Sequence, residues 1–202
     1  MPKLSASRIA QIKPLLFVAG LYPLLYWFYL GFTANLGVNP TEFLTRSSGT
    51  WTLVCLLITL LVTPLRDWLD EPALIRLRRM CGLFTFFYAT LHMLAWAWWE
   101  QNFVVVDMGL DVVKRPFVTV GMAAFLVMLA MALTSNQRAM KAMGHYWKAL
   151  HRGIYVIVIL AIVHYWLHKA GKNDFFEVTL YGVAASLLLA WRIWRRYRPR
   201  RA

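Results

Sequence analysis

The chain has 202 residues, 60% of them apolar, with ten tryptophans and a mean hydropathy of +0.52. That is too apolar for a soluble domain of this size and places the chain in lipid. A formal charge of +13 would suggest nucleic acid in a soluble protein. A phosphate-binding patch needs a folded surface outside the membrane, however, and little chain is left for one, so no nucleic-acid partner is expected. Cys55 and Cys81 sit in or beside apolar runs with no CxxC or histidine spacing, so both read as packing residues rather than disulfide or zinc ligands.

A helix crossing the hydrocarbon needs roughly 17–25 mostly apolar residues and satisfies its backbone internally. Six segments approach that length: 14–32, 49–65, 80–99, 116–134, 153–167 and 175–191. The first is long, carries Pro23 and bulky aromatics and lacks a small-residue cleavage site, so it reads as a helix rather than a signal peptide. The fifth and sixth are short or carry Glu177 at the edge, and recruit Trp147, Lys148, His168 and Arg192 as snorkelling ends. Linkers, low-complexity stretches and solenoid periods are missing from residues 1–202, so one all-α membrane domain, a six-transmembrane-helix bundle, is expected. A G-x-G-x-x-G and a soluble segment able to hold a nicotinamide are missing as well.

Short cytoplasmic loops hold an excess of Lys and Arg. With the N-terminus inside, 17 of the 22 basic residues fall on the cytoplasmic side. The five outside are Arg46, Lys114, Arg115, Lys169 and Lys172. Both termini are therefore expected in the cytoplasm of a multi-pass protein of the bacterial inner membrane, and the basic tail from Trp194 to Arg201 reads as lipid-contacting. The outer loops are then 33–48, 100–115 and 169–174; the middle one, with Glu100, Asp107 and Asp111 against Lys114 and Arg115, is the candidate docking loop.

Ionisable side chains inside a hydrophobic span are costly, so each suggests function. His92 lies in the third segment and His164 in the fifth, and both segments run in the same direction. At 1.5 Å per residue, ten residues past Gly82 puts His92 roughly 15 Å in, and eleven past Gly153 puts His164 roughly 16 Å in. Two imidazoles at one depth on separate helices meet the need of a haem for axial ligands on opposite faces. The competing reading is a pair of hydrogen-bonded core histidines. His168, four residues after His164, cannot reach the other face of the same macrocycle and reads as interfacial, and His145 reads as a loop residue. His151 lies thirteen residues before His164, and on an ideal helix the two rings point about 140° apart. The level partner on the third segment is Arg78 or Arg79, which cannot ligate iron. A second haem and a quinone or flavin site lined by His151 and Arg78 both remain open.

The runs Leu61-Val-Thr-Pro-Leu65, Arg78-Arg-Met-Cys-Gly-Leu83, Ala89-Thr-Leu-His92, Arg115-Pro-Phe-Val-Thr-Val-Gly121, Leu133-Thr-Ser-Asn-Gln137, Trp147-Lys-Ala-Leu-His151 and His164-Tyr165 resemble the MsrQ family. These are the haem-binding membrane subunits of bacterial protein-methionine-sulfoxide reductase systems, within the ferric-reductase-like transmembrane superfamily. The resemblance covers nearly the whole chain. Larger members pair histidines on helices three and five; His92, His151 and His164 match three such positions, while the fourth falls on Arg78 or Arg79. The flavin and nicotinamide domain of those larger members has no counterpart. The resemblance implies a b-type haem, FMN without assignable residues, and electron flow from the quinone pool or a cytoplasmic flavin reductase to a periplasmic molybdopterin-containing methionine sulfoxide reductase, with no sulfoxide reduction by this chain itself. The alternative from another class is a small transporter or passive anchor with proton-relay or packing histidines. Paired broken helices and an intramembrane carboxylate cluster, the usual marks of a transporter, are not evident in the sequence.

Overall fold

The computed structural model describes residues 6–197, so Lys3, Arg198, Arg200 and Arg201 of the expected basic clusters lie outside the described residues. The long helices are α1 (Ala6–Phe32), α2 (Pro40–Trp68) and α3 (Arg78–Ala95), the last entered through a tight turn at Pro72–Leu77 and left through a wide turn at Trp96–Glu100. Then follow α4 (Val105–Lys114), α5 (Pro116–Leu133), the short α6 (Gln137–Met143) and α7 (His145–His151), α8 (Ile154–Ala170) and α9 (Phe176–Tyr197). No strand occurs among the described residues. Among the described residues, six helical stretches are long and apolar enough to cross a membrane: Ile9–Phe32, Pro40–Trp68, Pro72–Glu100, Pro116–Leu133, His145–Ala170 and Phe176–Tyr197.

Breaks between helices follow from local chemistry. Asn39 caps α2 by accepting from the Glu42 amide, with Pro40 at the first helical position, where its missing N–H costs nothing. Asn136 caps α6 in the same way through Ala139. Gly144, at φ +54°, makes the corner between α6 and α7 that a side chain would resist.

In lipid, apolar burial gives little drive for association, so helices pair where close packing and hydrogen bonds allow. α2 packs mainly on α3, and α5 on α8; α9 lies against α2 and α8, and α1 sits at the margin beside α3. Leu56, Leu60, Ile157 and Val158, each at most 2% exposed, form the seam that joins the two pairs. A second cluster ties α1 on, with Trp27 edge-on to Tyr88 at 5.8 Å and the Tyr88 hydroxyl donating to the Gly20 carbonyl at 2.6 Å. The outward faces are apolar: Leu15, Phe17, Val18 and Tyr22 of α1, Val156 and Ile159 of α8, and Leu180, Val183 and Leu187 of α9. That is the pattern of a lipid-facing surface.

Pro64 lies inside α2 and has no N–H, so the Leu60 carbonyl one turn earlier loses its partner at membrane depth. Arg192 of α9 supplies the missing donor: its Nη2 donates to the Leu60 carbonyl and its Nη1 to Leu188 at 2.9 Å, while the guanidinium lies 5.9 Å from the Tyr155 ring centroid. An arginine is thereby accommodated in an apolar bundle because a proline created its acceptor. Replacing Arg192 by Leu should cost about 1–3 kcal/mol through the orphaned carbonyl. Thermal unfolding in detergent checks this, and Pro64→Ala in the same chain should recover part of the loss by restoring an amide at position 64.

Two expectations are revised. The stretch 100–115, read as a solvated loop, contains α4, whose Met108 and Val112 pack on Trp96 and Val118 while Val105, Val106, Leu110 and Val113 stay exposed. Asp111 accepts from Trp96 Nε1 at 2.9 Å and pairs with Arg115, which also reaches Glu100, so this acid holds α4 in place and is not a free rim charge. His145 opens α7, its ring 3.9 Å from that of Tyr146, rather than sitting in a loop.

Candidate haem site

The α2–α3 pair and the α5–α8 pair face each other across a cavity of about 800 Å³. That is the size of sites that enclose a large cofactor. Its walls include Leu53, Ala89, Ala124, Phe125 and Met128, and Asn39, Glu42, Arg46, Glu100, Lys169, Asp174 and Glu177 also line it. These polar residues define one end of the bundle, called here the mouth; Arg66, Arg78, Lys148 and Arg192 lie toward the other, basic end.

His92 reaches into the cavity from α3 and His164 from α8. Their ring centroids are 6.0 Å apart with the planes at 83°. A metal–imidazole bond of about 2 Å on each side, plus the radius of each ring, sets two trans imidazoles about 6 Å apart between centroids. The observed spacing matches that requirement.

Both rings are held at the same atom. His92 Nδ1 donates to the Thr45 carbonyl on α2 at 2.9 Å, and His164 Nδ1 donates to the Phe117 carbonyl on α5 at 2.6 Å. A carbonyl can only accept, so the hydrogen sits on Nδ1 and the lone pair on Nε2 of each neutral ring. This is the arrangement by which metal-bound histidines are oriented and made better donors. Ser48, 2% exposed, donates to the same Thr45 carbonyl at 2.9 Å and stands 3.4 Å from His92 Nδ1. Among the described residues no group of three or more His, Cys, Asp or Glu side chains could hold a bare metal ion. Two opposed imidazoles suit an iron that brings its equatorial ligands with it, and the residues present fit haem.

His168 also lines the cavity, its ring 5.4 Å from Phe117, rather than lying only at the interface. At the mouth, Lys169, with its side chain only 10% exposed, pairs with Asp174 at 2.5 Å and Glu177 at 3.5 Å; Tyr165 donates to Glu177, and Arg46 and Lys172 both face Glu42. The hydrogen bond from Lys169 holds the exposed Asp174 carboxyl below the usual carboxylate range. A lowered carboxyl keeps its pairing above the ordinary carboxylate range and loses it only as pH falls through the lowered value, so this contact persists at neutral pH.

His151 stands apart from this pair. Its ring stacks on Trp147 at 3.9 Å and its Nδ1 donates to the Trp147 carbonyl of its own helix at 3.0 Å, toward the basic end where Arg78 is half-buried. Cys55 is buried and Cys81 half-buried, and both are free thiols. Sequence reasoning missed Thr45, Phe117, Gly49 and Gly121. The two carbonyls leave no trace in side-chain chemistry, but the glycines, small residues inside apolar spans, were a usable signal.

Six apolar helices around two facing imidazoles define a ferric-reductase-like membrane domain, and the family described as "Ferric reductase like transmembrane component" matches residues 48–162. Over 196 residues, 96% of this chain and 95% of the relative, the sequence is 59% identical to the protein-methionine-sulfoxide reductase heme-binding subunit MsrQ of Bordetella pertussis. Proteins of the same description from Ralstonia nicotianae (47% over 199 residues, 98% of this chain and 92% of the relative) and Herminiimonas arsenicoxydans (45% over 197 residues, 97% and 90%) are similar along their length. The chain belongs to the MsrQ family.

Proposed function

We propose that this chain is the haem-binding membrane subunit of a protein-methionine-sulfoxide reductase system, a b-type cytochrome of the inner membrane that carries electrons to a periplasmic molybdopterin-containing reductase. The observation that carries the reading is the His92–His164 pair, 6.0 Å apart with both Nδ1 atoms donating to carbonyls. The relatives' name, heme-binding subunit, agrees with it. Bound haem would supply one-electron chemistry at a potential set by its axial ligands and surroundings. His92 and His164 would hold the iron through Nε2, and Leu53, Ala89, Ala124, Phe125 and Met128 would give the macrocycle apolar contacts.

The mouth end faces the periplasm in this reading, because the basic clusters then lie in the cytoplasm. The electron donor, the quinone pool or a cytoplasmic flavin reductase, reaches the haem from lipid or from the basic end. There His151 and Arg78 are the residues proposed to meet a quinone or flavin head group or a second haem, and FMN belongs to the same proposal without assigned residues. A transporter or passive anchor would not need both imidazoles held in one tautomer with their centroids 6.0 Å apart.

The test uses the full chain in proteoliposomes, reduced by a quinol and then mixed with the purified periplasmic reductase and a methionine sulfoxide substrate. Haem reoxidation dependent on both additions is expected. Haem that stays reduced would remove the proposed partner. Because Asp111 is committed to Trp96 and Arg115, the docking role of α4 is tested through the exposed Asp107 alone. Asp107→Asn should slow reoxidation at low salt and leave it unchanged at high salt.

A further inference from the structure

The two histidines are seated by the same device on two different helices. Each Nδ1 donates to a carbonyl of the facing helix, Thr45 for His92 and Phe117 for His164, and four residues beyond each acceptor stands a glycine, Gly49 and Gly121. In a helix the residue at i+4 sits over the carbonyl of residue i and covers its outer side. A Cβ built on Gly121 would lie 2.7 Å from His164 Nδ1 and 2.9 Å from its Cε1, closer than real Cβ atoms approach. A Cβ on Gly49 would lie 3.1 Å from His92 Cε1 and 3.2 Å from its Nδ1, tighter than most real Cβ contacts but less severe than at Gly121. The remaining glycines of the spans do not touch an imidazole; Gly182, for comparison, would meet only Ile162 at 3.7 Å.

We propose that Gly121 and Gly49 are positioning residues for the haem ligands. By leaving the side of each acceptor carbonyl open, they let the imidazoles rest against α5 and α2 and fix the two ring planes near the 83° seen here. The inference rests on the haem reading but concerns the orientation of the rings. Each ring is held by its Nδ1–H···O bond and by close approach to the glycine on a different helix, so the two planes are set independently. In a low-spin ferric haem five electrons occupy three d orbitals; perpendicular axial planes bring the upper two of these, which share three electrons, toward equal energy, and parallel planes split them. Perpendicular planes therefore give a single, strongly low-field electron paramagnetic resonance (EPR) feature, and parallel planes a three-line rhombic spectrum.

Gly121→Ala, Gly49→Ala and the control Gly182→Ala are to be purified as full chains. Glycine-to-alanine within a helix ordinarily favours the helix, so a loss at Gly121 or Gly49 reports on the imidazole rather than on helix propensity. Two readouts are needed: the low-temperature EPR spectrum of the ferric haem, and the ¹⁵N imidazole shifts of the haem-free protein, which report the Nδ1–H tautomer without any cofactor. Expected are a low-field feature and two Nδ1–H rings in the parent and in Gly182→Ala. In Gly121→Ala, haem content should fall several-fold, the remaining signal should move toward rhombic, and His164 should become a mixture of tautomers; Gly49→Ala should show smaller changes in the same sense, confined to His92. Unchanged EPR and ¹⁵N spectra in both variants would overturn the proposal. If Gly121→Ala does not fold, Gly49→Ala decides alone by the same criteria. A parent chain that binds no haem yet keeps both Nδ1–H rings, and loses them in the variants, would sink the haem reading while leaving the positioning role intact.

Discussion

His92→Ala and His164→Ala are each expected to abolish stable haem binding while the helical bundle persists. Either substitution leaves one imidazole to hold the iron across a cavity of about 800 Å³, and the second axial bond is lost outright. The carbonyl left behind, Thr45 or Phe117, still has the amide of its own helix as a partner, and Thr45 also keeps the Ser48 hydroxyl, so the fold should lose no more than the roughly 0.5–1.5 kcal/mol of a typical hydrogen bond. Haem per chain, measured on protein whose helix content and monodispersity match the parent, checks this. The glycine variants His92→Gly and His164→Gly, purified with haem and imidazole supplied together, should recover a low-spin spectrum because the added ring can occupy the vacated side. Full haem content in His92→Ala with an unchanged low-spin spectrum would show that the ligand pair is wrong. His151→Ala should be milder, since its ring is spent on Trp147 and does not border the cavity.

Ala124→Trp is the second large effect expected, and it removes haem without touching a ligand. Ala124 is 4% exposed, lines the cavity and lies on α5 just beyond Gly121. Interiors are close-packed, so an indole there must take volume from the cavity or push α5 away from its neighbours. The tryptophan should abolish haem binding and leave both histidines able to donate Nδ1–H to their carbonyls. The measurement is haem content beside the ¹⁵N imidazole spectrum of the haem-free chain. Loss of haem with both tautomers retained is expected. Retention of full haem would mean that the macrocycle does not lie between α3, α5 and α8.

Much of this was legible in the sequence because lipid imposes strict rules. Apolar length predicted six spans, and counting 1.5 Å per residue placed His92 and His164 at one depth; their ring centroids lie 6.0 Å apart. What remained hidden is carried by the backbone. Nothing about Thr45 or Phe117 as residue types marks their carbonyls as acceptors for a distant imidazole, since any residue at those positions offers the same oxygen. Gly121 stood inside a run that suggested the family, yet its role depends on how closely α5 and α8 approach, a quantity set by tertiary packing. The helix α4 was missed for a different reason. Asp107, Asp111 and Lys114 made 100–115 look solvated, while the apolar residues between them divide into an inward face, Met108 and Val112, and an outward one. His168 was set aside because i,i+4 geometry forbids it from ligating the same iron as His164; the same geometry brings it to the cavity wall.

The ligand set of the iron is the central claim, and near-infrared magnetic circular dichroism of the purified full-length chain, expressed with adequate haem supply, tests it most directly. That signal distinguishes two nitrogen ligands from histidine–methionine or histidine–water pairs. With His92 and His164 on opposite faces, the chain should hold at least about one low-spin haem with two imidazole ligands, and this signal should vanish in the His92→Ala, His164→Ala double variant. A chain without haem, a spectrum assigning any other axial ligand, or a bis-imidazole signal that survives the double variant would contradict the account.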